Sequence, residues 1–156
     1  MRGTLLAVVA FIGVVCLTNP ICAQPLEALD GTWEGSLGPA QGPGLTPLTK
    51  PMVVRIVISG TKSQVFIRRN GGAMDEVKPG AFRIMRLKSN AIVAAIDSGK
   101  DKDGTWVESW DFAVTLKDPT TLIADWYRIV NNVDQPLSVK YSKFSVAMTG
   151  ELRRKP

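Results

Sequence analysis

In the stretch GTWVESWDFAVTLK (104–117), Trp106, Trp110, Phe112, Val114 and Leu116 share one phase of a two-residue period, and Thr105, Ser109, Asp111 and Thr115 share the other. A period of two belongs to a strand with one buried face, whereas a helix would repeat near 3.6. The same alternation, rich in β-branched and aromatic residues, predicts strands near 31–37, 51–59, 62–69, 81–88, 90–98, 104–117, 120–131 and 141–153. Ser59-Gly60-Thr61, Asn70-Gly71-Gly72, Ser89-Asn90, Asp103-Gly104, Lys117-Asp118-Pro119 and Asn131-Asn132 favour tight reversals between them. The only helical candidate is a short turn at 25–30, PLEALD. Eight sequential strands with short links make an up-and-down antiparallel meander, and a sheet of that width avoids exposed edges by closing. The expected fold is therefore an all-β, eight-stranded β-barrel, with a two-sheet β-sandwich as the alternative.

The first residues set a compartment. Arg2, the apolar run LLAVVAFIGVVCL (5–17) and the small-residue exit ending at Ala23 have the three parts of a secretory signal. The run is too short to span a bilayer well, and nothing later is apolar for long enough, so no transmembrane span is expected after cleavage. We therefore expect residues 1–23 to be removed, with residues 24–156 forming one secreted or periplasmic domain. Cys16 and Cys22 both fall in the leader, so the domain has neither thiol nor disulfide and must be held by its core.

Composition removes much chemistry. The chain has no His, which excludes a His general base, a Ser-His-Asp triad and His-ligated zinc. Without Cys after residue 23, thiolate catalysis and Cys-zinc sites go too. Asp97 to Gly104 looks like a calcium loop, but aligning Gly104 with the obligatory EF-hand Gly puts Gly99 and Trp110 at ligand positions, so the segment reads as a charged hairpin turn. Asn70-Gly71-Gly72 lacks the Lys-Ser/Thr of a phosphate loop. No catalytic residues, metal or cofactor are nominated, and no enzymatic activity is expected. Losing Arg2 leaves 18 basic residues against 14 acidic, a net +4 spread over interrupted spots, and no nucleic-acid partner is expected.

A short N-terminal turn, Gly31-Thr32-Trp33 opening the first strand, a long Gly/Pro loop and a meander ending in GELRR (150–154) resemble the lipocalin-like barrels of the calycin group. The resemblance implies that Trp33 plugs one end of the barrel and that Arg153 or Arg154 packs across its ring. It also implies that the loop at 38–51, half Gly and Pro, lies over the opposite, open mouth as a lid. The disulfide and the T-D-Y signature of animal lipocalins are absent. Gly31-Thr32-Trp33 with Leu37-Gly38, and Trp106 with Trp110, also look superficially like avidin strands, but Glu34 or Gly35 stands where a polar biotin contact would be.

Period two places Glu108 in the apolar phase with Trp106 and Trp110, where a lone carboxylate needs a partner. In TLIADWYRIV (121–130), Arg128 rides in the phase of Trp126, and the turn at Asp118-Pro119 would bring Arg128 within reach of Glu108. Trp106, Glu108, Trp110, Trp126 and Arg128 are therefore the candidate ligand-binding residues, with the plainer reading that Glu108 and Arg128 only pair with each other. Met52, Val54, Ile56 and Ile58, and Phe144, Val146, Met148 and Leu152, read as wall residues. Met85 and Met148 are adaptable enough to line a pocket, but Met is also an ordinary gap filler, and neither is nominated. The functional expectation is an exported, non-enzymatic barrel that binds or carries a small, mainly apolar molecule. The alternative is a filled barrel acting as an interaction or inhibitor module on an envelope protein.

Overall fold

The computed structural model of the protein describes residues 26–68, 71–102, 104–134 and 143–156. The leader at 1–23, Arg69, Asn70, Asp103 and the expected strand start at 141–142 lie outside the described residues. Nine strands form one antiparallel sheet: β1 (Gly31–Pro39), β2 (Met52–Ser59), β3 (Lys62–Arg68), β4 (Met74–Glu76), β5 (Arg83–Leu87), β6 (Asn90–Asp101), β7 (Gly104–Asp118), β8 (Thr121–Asn132) and β9 (Lys143–Lys155). A 3-10 turn, Leu26–Leu29, precedes them, and no α-helix occurs among the described residues. No helix among them is long and apolar enough to cross a membrane.

The strand order is β4-β3-β2-β1-β9-β8-β7-β6-β5. Each strand pairs with its chain neighbours, except that β4 and β5 do not pair, and β9 also pairs with β1. The expected eight-stranded closed barrel is thus corrected in two respects. A ninth strand, β4, is added, and the ladder stops at β4 and β5 instead of closing. The cause of the gap is local: Val77 to Phe82 contains Pro79-Gly80, and Pro cannot donate to a ladder. The sheet nevertheless curls so that β3 and β5 approach one another.

Inward-facing residues build one core. Trp33, Leu37, Val54, Ile56, Val93, Phe112, Leu122, Ala124 and Leu152 are fully buried, and Val65 and Ile67 from β3 join the same cluster as Phe82 before β5. The two wall faces read from the sequence hold, with Met52 and Phe144 only partly buried. Met148 is buried, whereas Met85 is 64% exposed on the outer face of β5, away from the core. At Gly35, opposite Leu152, β1 and β9 pass so closely that a Cβ would run into the Glu151 carbonyl.

Antiparallel pairing sorts the connections into two ends. The start of β1, the β2–β3, β5–β6 and β7–β8 turns and the end of β9 gather at one end, with Trp33. The 40–51 loop and the β3–β4, β6–β7 and β8–β9 connections gather at the other, with Glu108. β1 runs to Pro39, two residues past its expected end, because its ladder with β9 continues to Met148. The loop beyond it is tied down along β9. The Ala40 amide donates to the Ala147 carbonyl at 3.0 Å, the Thr46 amide to the Ser145 carbonyl at 2.6 Å, and the Ser145 hydroxyl to the Gly44 carbonyl at 2.8 Å. Leu48 packs against the core.

Candidate functional site

At the Trp33 end the indole is fully buried and its Nε1 donates to the Leu29 carbonyl at 2.9 Å. The Arg154 guanidinium lies 4.2 Å from the ring centroid. All three of its nitrogens donate to backbone: Nη1 to Asp30 at 2.5 Å, Nη2 to Ala28 at 2.6 Å and Nε to Pro119 at 3.0 Å. Of the two arginines proposed from the sequence, Arg154 is the partner. Arg153 instead meets the Thr121 hydroxyl and Glu151. Gly31 has φ +136, and a Cβ there would sit 2.7 Å from Arg154 Nη1, so the position needs glycine twice over. Asp30 pairs with Arg86 and accepts from the Gly60 amide, which ties the β2–β3 turn and β5 to the same end. That end is sealed by hydrogen bonds.

The opposite end is built around Glu108. Its side chain is buried because β7 keeps period two through Trp106, Glu108 and Trp110. In the β7–β8 ladder Glu108 faces Val130 and Trp110 faces Arg128, so Arg128 reaches Glu108 diagonally. Arg128 Nε and Nη2 lie 2.8 and 2.7 Å from Glu108 Oε2. The Arg128 guanidinium also lies 5.2 Å from the Trp110 ring and 5.4 Å from the Phe144 ring.

Sequence reasoning missed a second cation. Lys78, in the segment that bridges the two unpaired edges, places Nζ 2.5 Å from Glu108 Oε1 and 2.6 Å from Asp97 Oδ2. It also lies 5.5 Å from the Trp106 ring, and its backbone adopts φ +46, in the left-handed region that a side chain rarely takes without compensation. The result is a line of alternating charge, Asp97, Lys78, Glu108 and Arg128. Burial alone would raise the Glu108 carboxyl, but Lys78 and Arg128 together hold it below its ordinary value. Burial likewise disfavours the Lys78 ammonium, and the two carboxylates overcome it and hold its pKa above 10.5. Lys78 holds Asp97 low in turn. A buried carboxylate in an apolar phase was the available clue. It asked for a partner without saying how many.

A cavity of about 480 Å³ opens here, lined by Met52, Ile67, Glu76, Val77, Lys78, Glu108, Trp110 and Arg128. Of the five candidate residues, Glu108, Trp110 and Arg128 therefore share its wall. Trp126 stands behind them, with its ring centroid 5.1 Å from that of Trp110, and Trp106 lies beside Lys78. The indole nitrogens of Trp110 and Trp126 are buried without a hydrogen-bond partner. Half of the lining residues are ionisable and most of the surface they present is polar, an arrangement suited to a ligand with a polar or charged head, with Met52, Ile67 and Trp110 supplying an apolar patch beside it. A second hollow of about 520 Å³ lies at the seam between β3 and the start of β5, against Ser63, Phe82 and Arg83. Compared with protein-family models, curated proteins and solved structures, the chain finds no match in any of the three.

Proposed function

We propose that the protein is an exported, lipocalin-like β-barrel that binds or carries a small, mainly apolar molecule at its Glu108 end and performs no chemistry on it. The observation that carries this reading is the cavity of about 480 Å³ walled by Glu108, Trp110 and Arg128, a size typical of small-molecule pockets. The barrel reading draws support from a strand order that brings β1 against β9 and curls β3 toward β5. It draws further support from Arg154 on the buried Trp33, as the resemblance to calycin barrels implies. Met52, Ile67 and Trp110 offer the surface for an apolar body, and Arg128, with Nε and Nη2 taken by Glu108, offers Nη1 to a polar head. Export rests on the leader at 1–23.

One observation favours a filled barrel that serves as an interaction module: below the mouth the interior is packed solid around Phe112, Trp126 and Leu152. Native mass spectrometry of the protein purified from the host that exports it separates the two. Bound mass that leaves on denaturation, and that Arg128→Leu no longer carries, supports the ligand site. Protein that arrives empty and ignores decanoate at millimolar concentration sinks it. The same spectra test export, since the chain should begin at Gln24.

A further inference from the structure

All the large apolar side chains that the described residues expose lie between Met85 and Val133. Met85, Leu87, Ile92, Ile96, Tyr127 and Ile129, each 47–77% exposed, stand on the outer face of β5, β6 and β8. The register brings them together: Met85 faces Ile92 across the β5–β6 ladder, and Ile96 and Ile129 both flank Ser109 on β7. Small residues, Ala94, Ser109 and Ala113, fill the places between, which keeps the face flat. The outer face of β1 to β3 is different in kind, carrying the Glu34–Arg55 pair at 2.7 Å, Gln64 and Arg68. Scattered exposed apolar residues need no explanation, but a contiguous face does.

We propose that the outer face of β5 to β8 is an isologous interface between two copies of this chain. Area and charge support that occupant. Four strands about 4.8 Å apart and seven residues of about 3.4 Å rise give a patch of roughly 20 Å by 20 Å before side-chain relief is counted. That fills the centre of an interface of about 800 Å² per partner and leaves a polar rim to supply the remainder. Without Arg2 of the leader the chain carries a formal net charge of +4, which opposes self-association over the surface as a whole. On this face the charged groups are Arg83, Asp111 and Asp125 with Lys100 and Lys117 toward its two ends, three basic against two acidic, so charges of both signs are present and little of the excess positive charge lies here. Each acid accepts one hydrogen bond within the chain, Asp111 from the Ser109 hydroxyl at 2.7 Å and Asp125 from the Thr149 hydroxyl at 2.6 Å, and keeps acceptor capacity for a donor from another molecule. A sheet face that is largely apolar and carries charges of both signs can pack on its own copy about a two-fold axis, with basic groups of one copy set against the aspartates of the other. An anionic lipid surface fits less well, because it offers the two aspartates no cation, whereas a second copy brings Arg83, Lys100 and Lys117. The interface and the Glu108 cavity lie on opposite sides of the sheet, so neither proposal depends on the other.

Sedimentation velocity of the full exported protein over a wide range of concentration tests the interface. The expected result is a monomer–dimer equilibrium with Kd in the micromolar range, weakened at least about tenfold by Ile96→Glu or Ile129→Glu, while Val57→Glu on the opposite outer face leaves it unchanged. Circular dichroism and the thermal midpoint of each variant confirm that it folds. Ile96→Ser, a milder change at the same place, should weaken the dimer in the same direction. A protein that stays monomeric at hundreds of micromolar overturns the proposal. A dimer indifferent to Ile96 and Ile129 overturns it too, and so does a monomer that sediments with phosphatidylglycerol vesicles through this face.

Discussion

Two arginines lie over two tryptophans in this molecule, and they do different work. Arg154 over Trp33 spends every guanidinium nitrogen on backbone carbonyls, and the indole below it has its acceptor in Leu29. Arg128 over Trp110 is held by one carboxylate, its side chain is a third exposed, and the indole below it has no partner. Buried polar groups are nearly always satisfied, so the first arrangement is finished and the second is open. The same pair of residue types thus closes one end of the sheet and leaves the other able to receive something. What separates them is the supply of nearby acceptors. The 3-10 turn and the Pro119 turn crowd carbonyls around Arg154, whereas the 480 Å³ cavity lies beside Arg128.

The comparison can be broken by unequal responses to mutation. Trp33→Ala removes the largest fully buried side chain and should cost about 3–5 kcal/mol in urea unfolding. Trp33→Phe keeps a ring but leaves the Leu29 carbonyl without its donor, a loss of about 1–3 kcal/mol. Trp110→Phe deletes an unpaired donor and should be nearly neutral. If both Phe variants cost the same, the ends are not distinct. Among the charged groups the largest loss is expected for Glu108→Gln, which takes from Arg128 its one carboxylate and from Lys78 one of two. Asp97 still holds Lys78, so the loss should fall at or below the low end of the roughly 3–5 kcal/mol for a broken buried pair.

Acid titration sharpens the same contrast. The Glu108 carboxyl is held below its ordinary value of 4.5 in the folded chain, so its contribution is complete above that pH and is lost as pH falls through the folded value. Asp118, pushed down to about 2 by hydrogen bonds from Thr120, extends the acid loss further. Glu108→Gln should therefore show a shallower fall in stability below pH 4.5 than the wild type. Lys78 works with the opposite sign. Its contribution is complete below 10.5 and fails only as pH rises through its raised folded value. A smaller loss than at Glu108 belongs to the loop. Ser145→Ala unties its hydroxyl from Gly44 and should cost about 0.5–1.5 kcal/mol in thermal unfolding. A lid free of β9 would show no change.

How much of this was legible in the sequence followed from distance along the chain. The long strands were, because period two persists over β6 to β9. The Glu108–Arg128 pair was too, because the turn at Asp118 to Thr121 fixes the register of a single hairpin; its slip between Leu116 and Asp118 lies near the turn, beyond both residues. β4 was not, since Met74, Asp75 and Glu76 are too few to show a period and follow two glycines. Lys78 was missed because it sits in an aperiodic segment and meets Glu108 only through the curl of the whole sheet. The anchoring of the 40–51 loop joins residues 101 positions apart, and no local pattern encodes that. Trp33 lay between, because its motif was readable but the choice between Arg153 and Arg154 waited on the β1–β9 register, which sets Arg154 opposite Trp33.

The most direct test of the contrast between the ends observes the four indole N–H groups one by one. In a ¹H–¹⁵N correlation spectrum, assigned with single Trp→Phe variants, titration with decanoate should shift the Trp110 resonance most. Trp126 and Trp106 should follow, and Trp33 should stay fixed. A Trp33 resonance that moves with the others, or a Trp110 resonance unmoved at millimolar decanoate, would contradict the assignment of the open end as the binding end.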